Sequence, residues 1–174
     1  MNKEGSVRLA IVITVPAAVM LLALYSMIFG FSAQDGEASG SLSRQVSEKC
    51  VDLYNDLAGK GWSSTAREYW VTFVEHPIRK LAHFSEYALL GFLVFVILMQ
   101  WNKKRSKYLW AVIWIFLSAC GDEIHQYFVP GRYASFSDVL LDTTGGIVGV
   151  TCCVALCAIV SGPVRRFGSP RKMH

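Results

Sequence analysis

Charge is scarce in this sequence. Asp, Glu, Lys and Arg make up 17% of its 174 residues, against roughly 25% in soluble domains. Such a chain has too little charge to clothe an ordinary globular surface. Familiar sequence signatures are missing too. There is no phosphate-binding Gly-rich loop, no dinucleotide fingerprint, no G-x-S-x-G turn to present a serine nucleophile and no H-E-x-x-H zinc pair. Strand-length alternation is absent, which argues against a membrane β-barrel. Cysteines number five, and Cys50 stands apart from the rest, so no disulfide framework is expected. Cys120, Cys152, Cys153 and Cys157 fall in apolar stretches and read as small buried hydrophobes.

What the chain has is long apolar runs, with 53% of its residues hydrophobic. Crossing a bilayer takes about 20 mostly apolar residues, from a core of ~30 Å and a rise of ~1.5 Å per residue. Four stretches approach this, at about 9–31, 81–101, 108–128 and 139–162. The third is apolar only as far as Cys120, and the fourth carries Asp142 near its start. The expectation is a single domain over 1–174, an all-α integral membrane protein with four transmembrane helices. A cleaved signal peptide is disfavoured, since the first apolar run exceeds the usual 7–15 residues or so.

Basic residues orient the spans. Lys3, Arg8, Lys103, Lys104, Arg105, Lys107, Arg165, Arg166, Arg171 and Lys172 all fall on one side of a four-span chain. The other side holds Arg44, Lys49, Lys60, Arg67, Arg79, Lys80 and Arg132, diluted by seven carboxylates between Asp35 and Glu75. Positive charge in short loops marks the cytoplasmic side. Both termini are therefore expected in the cytoplasm. The net charge of +4 reflects this asymmetry and contact with anionic lipid, with no nucleic-acid partner.

The outer loop, about 32–77, begins with the Gly/Ser-rich "SAQDGEASGS", which reads as a linker. Leu42, Val46, Leu53 and Leu57 then make a helical stripe that stops at "GKG". A second helix follows, with Thr65 and Glu68 at capping-box spacing and Trp70, Phe73 and Val74 on one side. These helices are expected to pack as a lid on the bundle or to lie at the membrane surface. Pro77 suits the first turn of the next span.

Polar residues concentrate where the spans begin and end on the outer side. "KLAHFSEYALLG" puts His83, Glu86 and Tyr87 on one helix face, at i, i+3 and i+4. "GDEIHQYFVPGRYASFSDVLLD" carries Asp122, Glu123 and Gln126, which share a face that excludes His125; Asp138 and Asp142 lie one turn apart. Ionisable groups in a membrane are costly and turn inward toward partners. Candidate partners are His83, Lys80, Arg79 and Arg132. Gly145 and Gly149 form a G-x-x-x-G pair that permits close helix approach. Two readings stay open: a structural polar network, or a site at the outer leaflet. Such a site could bind a divalent cation, with His83, Glu86, Glu123 and Asp138 as candidate ligands. It could also do acid–base chemistry on a lipid headgroup, with His83, Glu86, Asp122 and Glu123 as candidate catalytic groups. Ser85 points off the face of His83, so serine chemistry is not expected.

Those two segments resemble the paired signatures of the VanZ-like family, K-x-x-H-F-x-E-Y-x-x-L-G and D-E-x-x-Q-x-F-x-P-G-R-x-x-S-x-x-D-x-x-x-N-x-x-G, and "FSAQ" resembles its early serine-glutamine element. The match runs from about Phe31 to Gly149. The resemblance marks Lys80, His83, Glu86, Tyr87, Asp122, Glu123, Gln126, Pro130, Gly131, Arg132, Ser135 and Asp138 as site positions. Asp142 stands where the family usually has Asn, and an added buried charge there calls for a partner, His125 or Arg132. The resemblance implies a multi-pass protein of the bacterial cytoplasmic membrane, typical of Gram-positive genomes. The family's namesake is associated with resistance to teicoplanin, a lipid-tailed glycopeptide. It implies as partners membrane lipids and a lipid-linked cell-wall precursor or the lipoglycopeptide itself.

Overall fold

A computed structural model describes residues 3–34, 36–101 and 105–167. Lys103, Lys104, Arg171, Lys172 and Asp35 lie outside the described residues. The described chain is all-helical: α1 (Lys3–Ser32), α2 (Gly36–Ala58), α3 (Ser64–Trp101), α4 (Ser106–Tyr127) and α5 (Phe136–Phe167).

Three of these helices are long and apolar enough to cross a membrane, α1, α3 and α5. The expected fourth, α4, has the length but not the composition. Asp122, Glu123, His125 and Gln126 occupy its last turns and offset its apolar first half.

Two other expectations need correcting. The Gly/Ser-rich stretch is no linker beyond Gln34, because α2 already begins at Gly36. Small polar residues start this helix because packing on α3 outweighs their weak propensity. Pro77 does not open a new helix but sits inside α3. Its ring removes one backbone donor, while packing on both sides, against α2 before it and the bundle after it, carries the helix through.

α3 and α5 share the most extensive interface in the molecule. Their backbones meet without side chains between them. A Cβ at Gly145 would strike the Phe84 carbonyl, one at Gly149 the Ala88 carbonyl, and one at Gly91 the Gly146 carbonyl. The G-x-x-x-G pair thus makes a close approach. Lys80 meets Asp138, Phe84 meets Gly145 and Ala88 meets Gly149, so the two helices run parallel, and α4 must run back between them.

The core lies among α1, α3, α4 and α5. Tyr87, Leu90 and Phe95 pack with Ala111, Ile115, Val150 and Cys153. α1 is fastened by the Tyr25 hydroxyl, 2.6 Å from Ser118 Oγ and accepting from Trp114 Nε1 at 2.8 Å. At the opposite end Trp101 Nε1 donates to Thr14 Oγ1 at 3.1 Å. The outside of the bundle is apolar, with Val12, Val19, Leu22, Leu117, Leu156 and Ile159 exposed. Cys152 and Cys157 belong to that outer surface; only Cys153 of the span cysteines is fully buried.

α2 packs on α3 through Ser43, Ser47 and Val51, all buried. Its predicted apolar stripe faces the other way: Leu42, Val46, Leu53 and Leu57 are exposed, as are Trp70 and Phe73 on α3. Small side chains let the two helices approach closely, and the large apolar ones are left outward. Gly59, at φ 58°, takes the left-handed conformation that ends α2.

Candidate functional site

The end of the bundle away from the α3–α4 connection gathers the polar residues. α3 delivers Lys80, His83 and Glu86; α4 delivers Asp122, Glu123 and Gln126; α5 delivers Asp138 and Asp142. Pro130 and Gly131 make the turn between α4 and α5. Gly131 sits at φ 75°, a conformation glycine adopts without strain. That turn brings Arg132 back over the site, where its Nη2 donates to the Phe31 carbonyl at 3.3 Å.

A cavity of about 640 Å³ opens here. Of the predicted residues it is lined by Lys80, His83, Glu123, Gln126, Pro130, Gly131, Arg132, Asp138 and Asp142. Glu86, Tyr87, Asp122 and Ser135 do not line it. Tyr87 is buried in the core, and Asp122 lies beneath, 1% exposed. Sequence reasoning passed over His76 and Tyr133 as wall residues, and named Arg79 only as a charge partner. His76 precedes Lys80 by one helical turn, which was the available signal.

Most charges at the rim have partners. Lys80 Nζ lies 2.8 Å from Asp138 Oδ1. Arg79 Nη2 lies 3.2 Å from Glu75 Oε1, although its buried Nε has no partner. Glu123 Oε2 accepts the Ser135 backbone N–H at 2.7 Å, which ties α4 to the start of α5. Burial, followed by the neighbouring Arg79, lowers the proton affinity of the Arg132 guanidinium.

The floor is different. Gln126 Nε2 donates to Asp122 Oδ2 at 2.9 Å and to Ser32 Oγ at 3.3 Å. Asp122 Oδ1, Asp142 Oδ1 and His83 Nδ1 are buried without hydrogen-bond partners. One ligand atom each from His83, Asp122 and Asp142 lie within 4.8 Å of one another. The cation candidates proposed from sequence shared only His83 with this trio. Glu86 lies 3.8 Å from His83, while Glu123 and Asp138 are bound elsewhere, by Ser135 and Lys80. His125 is no partner for Asp142: its ring sits 5.6 Å from that of Phe29, against α1.

A second cavity, about 750 Å³, lies between α2 and the first half of α3. Its wall is mostly apolar, with Val51, Tyr54, Trp62, Trp70 and Leu81, and Lys60 is its one lysine.

A helical bundle with an apolar exterior and an acidic, histidine-containing floor under a rim of mixed charge defines a membrane-protein class with a polar region at one end. Comparison of the sequence with family models gives the family: the VanZ/LLP1 model matches residues 17–158. The chain belongs to the VanZ/LLP1 family. No curated protein matches it significantly, nor does any solved structure.

Proposed function

We propose that this protein works in the bacterial cytoplasmic membrane as an envelope factor against lipid-tailed glycopeptide antibiotics, by binding or shielding a lipid-linked ligand. The observation that carries this reading is the 640 Å³ cavity with Arg79, Lys80 and Arg132 at its rim. These cations share the lining with Glu123, Asp138 and Asp142, a mixed polar surface that suits a lipid headgroup carrying both a phosphate and hydrogen-bonding groups. The apolar exterior beside it would hold the lipid tail.

The topology that goes with this reading has four crossings. α4 returns the chain across the bilayer despite its polar end, since α3 and α5 run parallel and both are span-like. The polar end of α4 is turned into the bundle, where Asp122, Glu123 and Gln126 are buried. Both termini then lie in the cytoplasm and the cavity opens at the outer leaflet, as the basic-residue bias indicates. The exposed leucines of α2, with Trp70 and Phe73, rest on the outer interface.

A second reading, an intramembrane enzyme acting on a lipid headgroup, is favoured by one observation, the His83–Asp122–Asp142 floor. It would use these groups for acid–base chemistry or to hold a divalent cation.

The test is growth inhibition of a susceptible Gram-positive host by teicoplanin and by vancomycin, which lacks the acyl tail. Wild type runs beside Glu123→Gln at matched membrane levels. Wild type is expected to protect against teicoplanin and the variant is not. No protection by wild type removes the antibiotic reading. Equal protection by the variant leaves Glu123 a structural member of the network. In the same cells, Cys50, exposed on α2, should react with a membrane-impermeant maleimide. Protection of Cys50 would reverse the orientation.

A further inference from the structure

We infer that His83, Asp122 and Asp142 form a binding site for a divalent transition-metal ion. The three come from α3, α4 and α5, and one ligand atom from each lies within 4.8 Å of the others. Metal–ligand bonds of about 2.0–2.2 Å separate ligand atoms by roughly 3–4 Å, so small side-chain rotations draw the three onto a single ion.

The second observation is their lack of partners. Asp122 is 1% exposed and Asp142 2%. Each keeps a buried carboxylate oxygen with no hydrogen bond, and so does His83 Nδ1. A buried carboxylate without a partner is strongly disfavoured unless a cation answers it. Lys80 is engaged with Asp138 and Arg79 with Glu75, and Arg132, which stands over the site and donates to the Phe31 carbonyl, makes no hydrogen bond to Asp122 Oδ1 or Asp142 Oδ1. Two carboxylates and a neutral imidazole carry two negative charges, which one divalent ion balances.

The arrangement around the trio fits a metal centre. Gln126 Nε2 holds Asp122 Oδ2 at 2.9 Å, leaving Oδ1 unpartnered within the cluster. Outer-shell hydrogen bonds of this kind orient metal-binding carboxylates. His83 and Asp142 line the cavity, which supplies a path for the ion. Three protein ligands leave a coordination position open toward that cavity. The imidazole ligand favours Zn²⁺ over Mg²⁺ and Ca²⁺, which prefer all-oxygen sets, while the two carboxylates also admit Mn²⁺.

The experiment counts metal in the full-length protein. The chain, carrying a histidine-free tag, is purified in mild detergent and stripped with chelator. It is reloaded with Zn²⁺ or Mn²⁺, desalted and analysed by elemental mass spectrometry. Wild type is expected to retain about one ion per chain, as a preformed protein site does. Asp142→Asn, nearly isosteric, should lose it, and Glu123→Gln should keep it. Gln126→Leu should weaken binding by about 10–100-fold, the effect of removing an outer-shell partner. Should Asp142→Asn aggregate, Mn²⁺-loaded wild type and His83→Gln decide, because nitrogen coupling in the wild-type pulsed electron-spin spectrum should disappear when His83 is replaced, and its persistence would overturn the assignment. Folded, monodisperse wild type that holds neither ion would overturn the proposal. So would Asp142→Asn that retains metal as wild type does. Neither readout involves an antibiotic, so the outcome is independent of the resistance reading.

Discussion

The two halves of α3 treat charge in opposite ways. Near its start, outside the bundle, each charge has found a partner at the surface. Arg67 Nε lies 2.6 Å from Asp52 Oδ1, with Nη2 2.8 Å from Oδ2. Arg44 reaches Glu68 at 2.6 Å. About four turns on, His83 joins Asp122 and Asp142 in a buried group where polar atoms go unpartnered. Exposed pairs of the first kind contribute little, because water already screens them. Buried unpaired charge of the second kind opposes folding and persists only where something else offsets it. The first turns of α3 therefore read as local fastening to α2, and the stretch around His83 as the candidate site.

Close backbone packing just beneath the site holds α3 and α5 in register there. The largest effect is accordingly expected from Gly149→Val. A Cβ at Gly149 would overlap the Ala88 carbonyl, and no flexible side chain is there to yield. Overpacking costs roughly 1–3 kcal/mol where the structure can shift, and here two helix backbones must part. Little folded protein should be recovered from membranes, by detergent gel filtration. Gly121→Ala is the control, since its Cβ would meet nothing within 4 Å and should leave yield unchanged. A well-folded Gly149→Val would mean that the α3–α5 seam is looser than its geometry and does not hold the acidic floor in place.

The middle effect tests the floor itself. Removing a buried charge should stabilise the metal-free protein. Asp142→Asn is expected to raise the unfolding free energy of chelator-stripped protein by about 1–2 kcal/mol. Thermal unfolding in detergent, followed by helical circular dichroism, measures it. With Zn²⁺ present the order should reverse, because only wild type gains binding energy from the ion. A lower stability of stripped Asp142→Asn would show that Asp142 is a structural partner, and the contrast between the halves of α3 would fail.

Much of this was legible in the sequence, and the exceptions have physical causes. Apolar length located α1, the second half of α3 and α5, because a bilayer sets that length directly. Helical spacing placed His83 with Glu86 and Asp122 with Gln126, since both pairs are local. What spacing could not resolve was which carboxylates meet across helices. Glu86, Glu123 and Asp138 were as good candidates as Asp122 and Asp142 until the parallel packing of α3 and α5 fixed their depths. Composition overstated α4, whose polar end a bundle can hide. It also misread "DGEASGS" and Pro77, where tertiary packing overrides weak helix propensity. The stripe Leu42–Val46–Leu53–Leu57 was seen, but its direction was not. A periodic apolar face announces burial, and beside a membrane an outward face can be buried as well.

The smallest effect should come from the outer pairs, and pH separates them from the floor. The hydrogen bond from Arg67 lowers the pKa of the Asp52 carboxylate. A depressed carboxylate contributes its stability above its ordinary pKa and loses it as pH falls through the lowered one. Near neutrality the pair is therefore fully formed, and Arg67→Ala should still shift the unfolding temperature only marginally, because both partners face solvent. Even that difference should vanish in acid, once Asp52 is protonated in both proteins, and shrink in high salt. Thermal scans of wild type and Arg67→Ala at neutral and acidic pH check this. A large loss at neutral pH would make the Arg67–Asp52 contact a structural clamp between α2 and α3, since the second cavity lies between the same two helices. A negligible loss leaves α2 held by Ser43, Ser47 and Val51, packed closely enough that its leucines stay turned outward.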